Sequence, residues 1–203
     1  MKQPAANPLL TAALNYAKRQ WPVIPVHSMA EGRCTCGKSD CGSPAKHPRT
    51  EHGLTNASTD PTQITSWWTT WPDANVGVIT GKQSRIVVLD CDAKSDGPDR
   101  IRELMDINGA ITTLTSITGG GGQHWVFQAP PEPLRNTAGV IAPGIDTRAE
   151  GGYIVAPPSI HLSGRKYEWD NRVAIQPIPP WLLLLWPSHT ARPPTTNGAP
   201  SHA

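Results

Sequence analysis

The stretch Val76-Gly77-Val78-Ile79-Thr80-Gly81-Lys82-Gln83-Ser84-Arg85-Ile86-Val87-Val88-Leu89-Asp90-Cys91-Asp92 decides how this chain is read. Two short β-rich runs, Val76–Thr80 and Arg85–Leu89, flank the turn Gly81–Ser84, a pattern that predicts a hairpin. Toward the N-terminus, Leu9, Leu10, Ala13, Leu14 and Ala17 recur at helical spacing, so Pro8–Gln20 reads as an amphipathic helix feeding a strand at Val23–Val26. A second helix starts at Asp60-Pro61, an N-cap followed by proline at the first helical position, and carries Ile64, Trp67, Trp68 and Trp71 at i, i+3, i+4 and i+7. That tryptophan stripe reads first as a buried helix face and second as a stacking platform for bases. Toward the C-terminus follow a helix Pro98–Asp106 closed by Gly109, a strand Ile111–Thr118, the loop Gly119–Gly122 and a strand Gln123–Gln128. A hairpin of Gly144–Arg148 with Tyr153–Ala156, and a last strand Lys166–Trp169, complete the pattern. Strands joined by turns, with few helices between them, predict an α+β fold whose sheet is mostly antiparallel or mixed with helices on one face.

Composition narrows the classes further. The chain has 203 residues, of which 22 are Pro and 18 Gly, with 37% hydrophobic and 17% charged residues. Proline at about twice its usual ~5% excludes a helix bundle. The longest apolar run, Trp181–Trp186, is far short of the ~18 residues of a membrane span, so no membrane association is expected. Met1-Lys2-Gln3-Pro4 opens no secretory signal, which points to a cytoplasmic setting and to cysteines used as metal ligands. A net charge of +2 neither requires nor excludes nucleic acid. One domain is expected over 1–187, with a polar loop inserted at 28–53. Residues 188–203, rich in Ser, Thr and Pro, read as a linker or disordered tail.

Residues capable of chemistry fall in four places. Asp90 and Asp92 end an apolar strand two positions apart, so both carboxylates project to one side while Cys91 faces away; hard oxygen ligands of this kind suit Mg²⁺ or Mn²⁺. A solvated acidic turn is the alternative. His124 follows a four-glycine loop whose backbone N–H groups could approach a phosphate, although neither a P-loop nor a Rossmann fingerprint is present. Asp146 and Arg148 share one strand face, offering a third acid and a bidentate phosphate ligand, or simply an ion pair with each other. Carboxylates for two divalent ions plus His and Arg for phosphates are the parts that in-line nucleotidyl transfer requires. The fourth place is the loop Cys34-Thr35-Cys36-Gly37-Lys38-Ser39-Asp40-Cys41 with His47, which matches a tetrahedral structural Zn²⁺ site. His52 is the alternative fourth ligand, and Cys91 belongs to no cluster.

Taken in order, Lys46-His47-Pro48-Arg49, His52-Gly53-Leu54, Asn75-Val76-Gly77-Val78, Val87–Asp92, Gly120–His124, Gly144–Arg148, Gly151–Ser159 and Ser163–Trp169 resemble the bifunctional primase-polymerase (prim-pol) domain of the archaeo-eukaryotic primase superfamily. The resemblance covers Leu9 to Trp186. It implies an RRM-like catalytic sheet with an N-terminal α/β unit. It also implies a template-dependent nucleotidyltransferase, a DNA primase and polymerase that starts chains de novo on single-stranded DNA from NTPs or dNTPs with Mg²⁺ or Mn²⁺. On that resemblance Asp90, Asp92 and Asp146 are the catalytic metal ligands, and His124, with Arg148, binds the nucleotide. Cys34, Cys36, Cys41 and His47 resemble a zinc loop of some members. Lys46, Ser159, His161 and Lys166, polar residues in glycine- or proline-bounded loops, are further candidates for nucleotide contact. One departure is Gly122, where the family often carries Ser two residues before the histidine. Many relatives continue into a helicase, so a helicase, attached or separate, is an expected partner. Two competing readings are a non-catalytic zinc-bearing module that binds single-stranded DNA and a metal-dependent nuclease.

Overall fold

The computed structural model describes residues 7–187, so the tail expected at 188–203 lies outside the described residues. Asn7 caps α1 (Pro8–Lys18) by accepting from the amides of Leu9 and Leu10, and the helix buries Leu9, Ala13, Tyr16 and Ala17. Strand β1 (Val23–Val26) leads into a small hairpin of β2 (Met29–Ala30) and β3 (Arg33–Cys34). Its turn residues Glu31 and Gly32 both have positive φ, 49° and 74°, the type I′ geometry that joins two strands with two residues. After a 3-10 turn at Gly53–Asn56, Asp60 caps α2 (Pro61–Thr70) by accepting from the Thr62 amide. Then come β4 (Asn75–Ile79), β5 (Ile86–Cys91), a 3-10 turn at Ala93–Ser95 and α3 (Gly97–Asn108). The chain continues through β6 (Leu114–Ile117), β7 (Gln123–Gln128), β8 (Thr137–Ala142), β9 (Ile145–Arg148), β10 (Tyr153–Ala156), β11 (Glu168–Trp169), β12 (Gln176–Pro177) and α4 (Pro180–Leu185).

The strands form two principal sheets. β1, β4 and β10 make a three-stranded antiparallel sheet, and a larger sheet runs β11-β6-β7-β5-β9-β8, with β12 added in parallel to the end of β7. The mixed helix and antiparallel architecture therefore agrees with the sequence, but the two expected hairpins do not form. β4 and β5 lie in different sheets, joined by no ladder and with only the bridge Gly81↔Ile86 at the turn between them, and β9 and β10 are likewise divided between the two sheets. Both turns carry the chain from one sheet to the other. β8, an exposed edge strand, and β12 were not expected from the sequence.

Alternation along β5 shows how the layers stack. Ile86 and Val88 join a core with Val76, Val78, Ile154 and the buried faces of α1 and α2. Val87, Leu89 and Cys91 face the other way, into a second core with Ile101 of α3 and with Leu182 and Trp186 at α4. Helices thus cover one face of the large sheet, while its other face meets the small sheet and α1–α2. Asp90 is next on that second face after Val88, where apolar packing gives way to a cleft.

Candidate active site

Register assembles the cleft. Across the large sheet, Ser116 of β6 pairs with His124 of β7, His124 with Asp90 of β5, and Asp90 with Asp146 of β9. Side chains directly opposite on one face have Cβ atoms ~4.5–5.5 Å apart, so residues distant in sequence become neighbours. Asp92 lies just beyond β5, accepts from the Lys94 amide at 2.9 Å and caps the 3-10 turn. Asp90, Asp92, His124, Asp146 and Arg148 all line one cleft of about 480 Å³, and Cys91 is buried on the opposite side of the strand.

Within it, Arg148 Nη2 donates to Asp90 Oδ2 at 2.9 Å and to Asp146 Oδ2 at 3.0 Å. His124 Nε2 lies 3.5 Å from Asp90 Oδ1. Burial by itself would raise the Asp90 pKa, but the hydrogen bond and charge of His124, with the Arg148 guanidinium, hold it well below the ordinary 3.8. The second oxygen of Asp146 accepts from the Gly139 amide at 3.0 Å, tying the β8 edge to the site. Three carboxylates line one cleft, with one guanidinium bridging two of them; they are hard oxygen donors of the type divalent cations take, although among the described residues only the Cys/His cluster below draws its ligand atoms together to the spacing of a single ion.

The cleft is also lined by cations. His161 and Lys46 line the cleft, as does Lys94, which the sequence reading missed. Arg165, also missed, donates from Nε to the Gly119 carbonyl at 3.0 Å and so lies against the glycine loop. Burial, and then the charges of Lys46, Lys94 and Arg165, lower the His161 pKa. Tyr167 is buried with its ring 6.1 Å from those of both His124 and His161, and it backs the two imidazoles. Burial raises its pKa, keeping the phenol neutral. In the glycine loop the amides of Gly121 and Gly122 are already bonded to Thr118, which leaves Gly120 as the loop residue lining the cleft. A Cβ on Gly122 would sit 2.3 Å from the Cys91 carbonyl oxygen, so the close approach of this loop to β5 accounts for the missing serine.

Two sequence candidates lie outside the cleft lining. Ser159 is fully buried and its Oγ accepts from the Val76 amide at 2.9 Å, binding the Pro157-Pro158 turn to β4. Lys166 is exposed on the short bridge to Ile160.

The polar loop holds a separate, closed cluster. One ligand atom from each of Cys34, Cys36, Cys41 and His47 falls within 4.8 Å of the others. His47 Nε2 is 3.5 Å from Cys34 Sγ and 3.4 Å from Cys41 Sγ. Tetrahedral bonds of ~2.3 Å to sulfur and ~2.0 Å to nitrogen separate such atoms by about 3.5 Å, so this cluster could bind zinc. Cys34 is raised by burial, yet the backbone amides of Ala45 and Cys36 and the side chains of Cys36 and His47 bring its thiol down to about 6. The His27 ring lies 4.4 Å from that of His47, and its Nδ1 pairs with Thr35 Oγ1 at 3.0 Å. His52, the alternative ligand, instead heads the 3-10 turn outside the cluster.

Among the described residues no helix is long and apolar enough to cross a membrane. The family model of the bifunctional DNA primase/polymerase N-terminal domain, Prim-Pol, matches residues 13–181. No curated protein matches the chain significantly.

Proposed function

The chain belongs to the bifunctional DNA primase/polymerase N-terminal family, and from that premise we propose that its cleft synthesises primers de novo on single-stranded DNA and extends them by nucleotidyl transfer. The observation that supports this most is that one cleft gathers three carboxylates, Asp90, Asp92 and Asp146, together with Lys46, Lys94, Arg148 and His161. A nucleoside triphosphate needs both: carboxylates near the α-phosphate and cations along the β- and γ-phosphates. Two Mg²⁺ or Mn²⁺ ions held by the three acids would supply charge stabilisation at the attacking and leaving oxygens.

The protein's own groups do the rest. Asp90 stays ionised at every working pH because its pKa is depressed, so it is ready to take a cation without first losing a proton. Arg148 bridges Asp90 and Asp146 in the free protein, offsetting one of their two charges, and its guanidinium would be free to meet the triphosphate once cations were held by those acids. His124, fixed between Asp90 and the Tyr167 ring, donates to a phosphate oxygen from a defined position. Cys34, Cys36, Cys41 and His47 would hold a structural Zn²⁺, whose bonds would supply order to a loop with almost no apolar residues, the loop that carries Lys46 into the cleft. The substrates are a single-stranded template and NTPs or dNTPs, and a helicase, attached or separate, is the partner that would expose that template. The family match does not favour a non-catalytic module.

The test is incubation of the purified chain with unprimed single-stranded DNA, Mn²⁺ or Mg²⁺, and labelled NTPs or dNTPs, beside a variant carrying both Asp90→Ala and Asp92→Ala. Short products from the natural chain alone are expected, and the accepted nucleotide identifies the sugar preference. Absence of product from folded, DNA-bound protein in every mixture sinks the proposal.

A further inference from the structure

A second groove lies outside the cleft, of about 620 Å³, within the ~300–1,000 Å³ of ligand-holding sites, with Trp67, Trp71 and Arg49 among its walls. The two cavities share a wall. Ser43, Lys46 and Leu54 line the cleft, whereas Arg49, Thr55 and Asn56 line the groove, so the 3-10 turn Gly53–Asn56 presents neighbouring residues to opposite sides.

α2 does not need all its tryptophans for packing. Ile64 and Trp68 are buried, and the Trp68 indole N–H is spent on the Ala74 carbonyl at 2.9 Å. Trp67 and Trp71, one turn apart, rest against the edge of that core but remain partly exposed, and among the described residues neither indole N–H has a hydrogen-bond partner. Over Trp71, 5.1 Å from the ring centroid, sits the Arg49 guanidinium. Its side chain is only 12% exposed, and Nη1 is buried with no hydrogen bond, although the Asp73 carboxylate stands 3.5 Å away. The ion-pair distance and the missing hydrogen bond point to a contact of poor alignment, so this guanidinium is desolvated without being fully satisfied.

We propose that the groove is a second binding site, for single-stranded nucleic acid leaving the cleft, whose bases stack on Trp67 and Trp71 beside Arg49. The proposal rests on the reading of the cleft as a template-directed site. Every base has a π-face, so indoles and a stacked guanidinium take any sequence, as a template strand demands. Glu51 and Asp60, both exposed, share the groove with Arg49 and outnumber it, so the groove offers phosphates no net attraction. Affinity here therefore comes from stacking rather than from released counterions, and the groove adds nothing to the salt slope.

Photocrosslinking with single-stranded DNA containing 5-iododeoxyuridine tests this on the natural chain, and mass spectrometry locates the adducts. Adducts on Trp67 or Trp71 are expected with an oligonucleotide long enough to leave the cleft, and none there with a very short one. Anisotropy titrations of the long oligonucleotide should show Trp67→Ala and Trp71→Ala each weakening binding about tenfold, as loss of one stacked base implies. Trp67→Phe should restore most of the affinity, and all variants should keep the natural salt dependence. Adducts confined to other residues, or unchanged affinity in folded alanine variants, overturn the proposal. So does protection of the two indoles by a proline-rich peptide but not by DNA, since the groove would then serve a peptide. Adducts at Trp67 without primer synthesis by the natural chain would remove the cleft assignment and leave the groove standing; synthesis with no adduct there does the reverse.

Discussion

All four ligands of the Cys₃His cluster come from residues 34–47, whereas the cleft collects its acids and cations from positions as far apart as Lys46 and Arg148. The cluster is closed: its four donors point at one another, and nothing remains for a substrate. The cleft is open, and its central acids hold a guanidinium that a ligand can displace. A local site depends on one loop, while a cleft built by cross-strand register depends on the whole sheet. A slip of one residue in β5 would turn Asp90 into the core occupied by Leu89 and Cys91. Lesions in the two regions should consequently separate into different observables.

The largest separation is expected from the acids. Asp90→Ala with Asp92→Ala should lower primer synthesis by at least about a thousandfold, the scale of several kcal/mol of transition-state stabilisation by bound cations. One zinc per chain, measured by atomic absorption, should remain. A loss of zinc in this variant would show that the two regions are one cooperative unit and break the comparison.

The reverse lesion comes next. Cys36→Ser, or a strong chelator, should release zinc and lower Tm by about 5–10 °C, corresponding to roughly 2–3 kcal/mol in a chain of this size. The near-UV circular dichroism of the two sheets should survive, since the loop contributes few buried side chains beyond Cys34 and Ala45. Its fixed edge, the bridge Val26↔Pro48 and the bond from the His27 amide to the His47 carbonyl, belongs to β1. Global unfolding on chelation would mean that the loop supports the small sheet.

The same contrast explains what could be read from the sequence. The cysteine spacing is local and needed no fold, whereas the two-residue period of a strand reaches only Asp90, since β5 ends at Cys91 and Asp92 enters the same cleft as the cap of the following 3-10 turn. Assignment of the two hairpins failed because a turn such as Gly81–Ser84 looks identical whether its flanking runs pair or pass between stacked sheets. β8 is an exposed edge with Ala138, Gly139 and Val140 at its centre, so it lacks an apolar alternation. β12 is two residues long and includes a proline. The α2 stripe was legible at Ile64 and Trp68, but periodicity could not tell that Trp67 and Trp71 stop at the core's edge. Lys94 and Arg165 carried no signal beyond their charge; proximity to Asp92 and to the turn at Gly164 gains meaning only after folding.

Gly122 tests how tightly the cleft depends on backbone approach. Gly122→Ser adds a Cβ 2.3 Å from the Cys91 carbonyl oxygen, a backbone atom of the strand that carries Asp90. The expected cost is about 1–3 kcal/mol of stability, together with reduced synthesis, because the loop or β5 must shift. Chemical denaturation and the primer assay measure both, and zinc content should not change. A variant with natural stability and higher activity would show that the hydroxyl is usable and that the loop can yield.

The smallest effect concerns charge in the cleft without divalent ions. Asp90 titrates below its ordinary 3.8 because the contributions of His124 and Arg148 outweigh its burial, so the native state binds this proton more weakly than the unfolded chain. The stabilisation is therefore complete above about pH 4 and drains as pH falls through the depressed pKa. Arg148→Met removes the bridge to Asp90 and Asp146, leaving two carboxylates that repel each other at neutral pH. Protonation relieves that repulsion. The natural chain should thus be the more stable by a few degrees in Tm at neutral pH, and the two curves should converge in acid. Thermal unfolding across that range, with divalent ions removed by chelation from samples whose zinc loop is already emptied, isolates the cleft. Parallel curves would mean that Arg148 does not govern Asp90, and that the open site is no more electrostatically poised than the closed one.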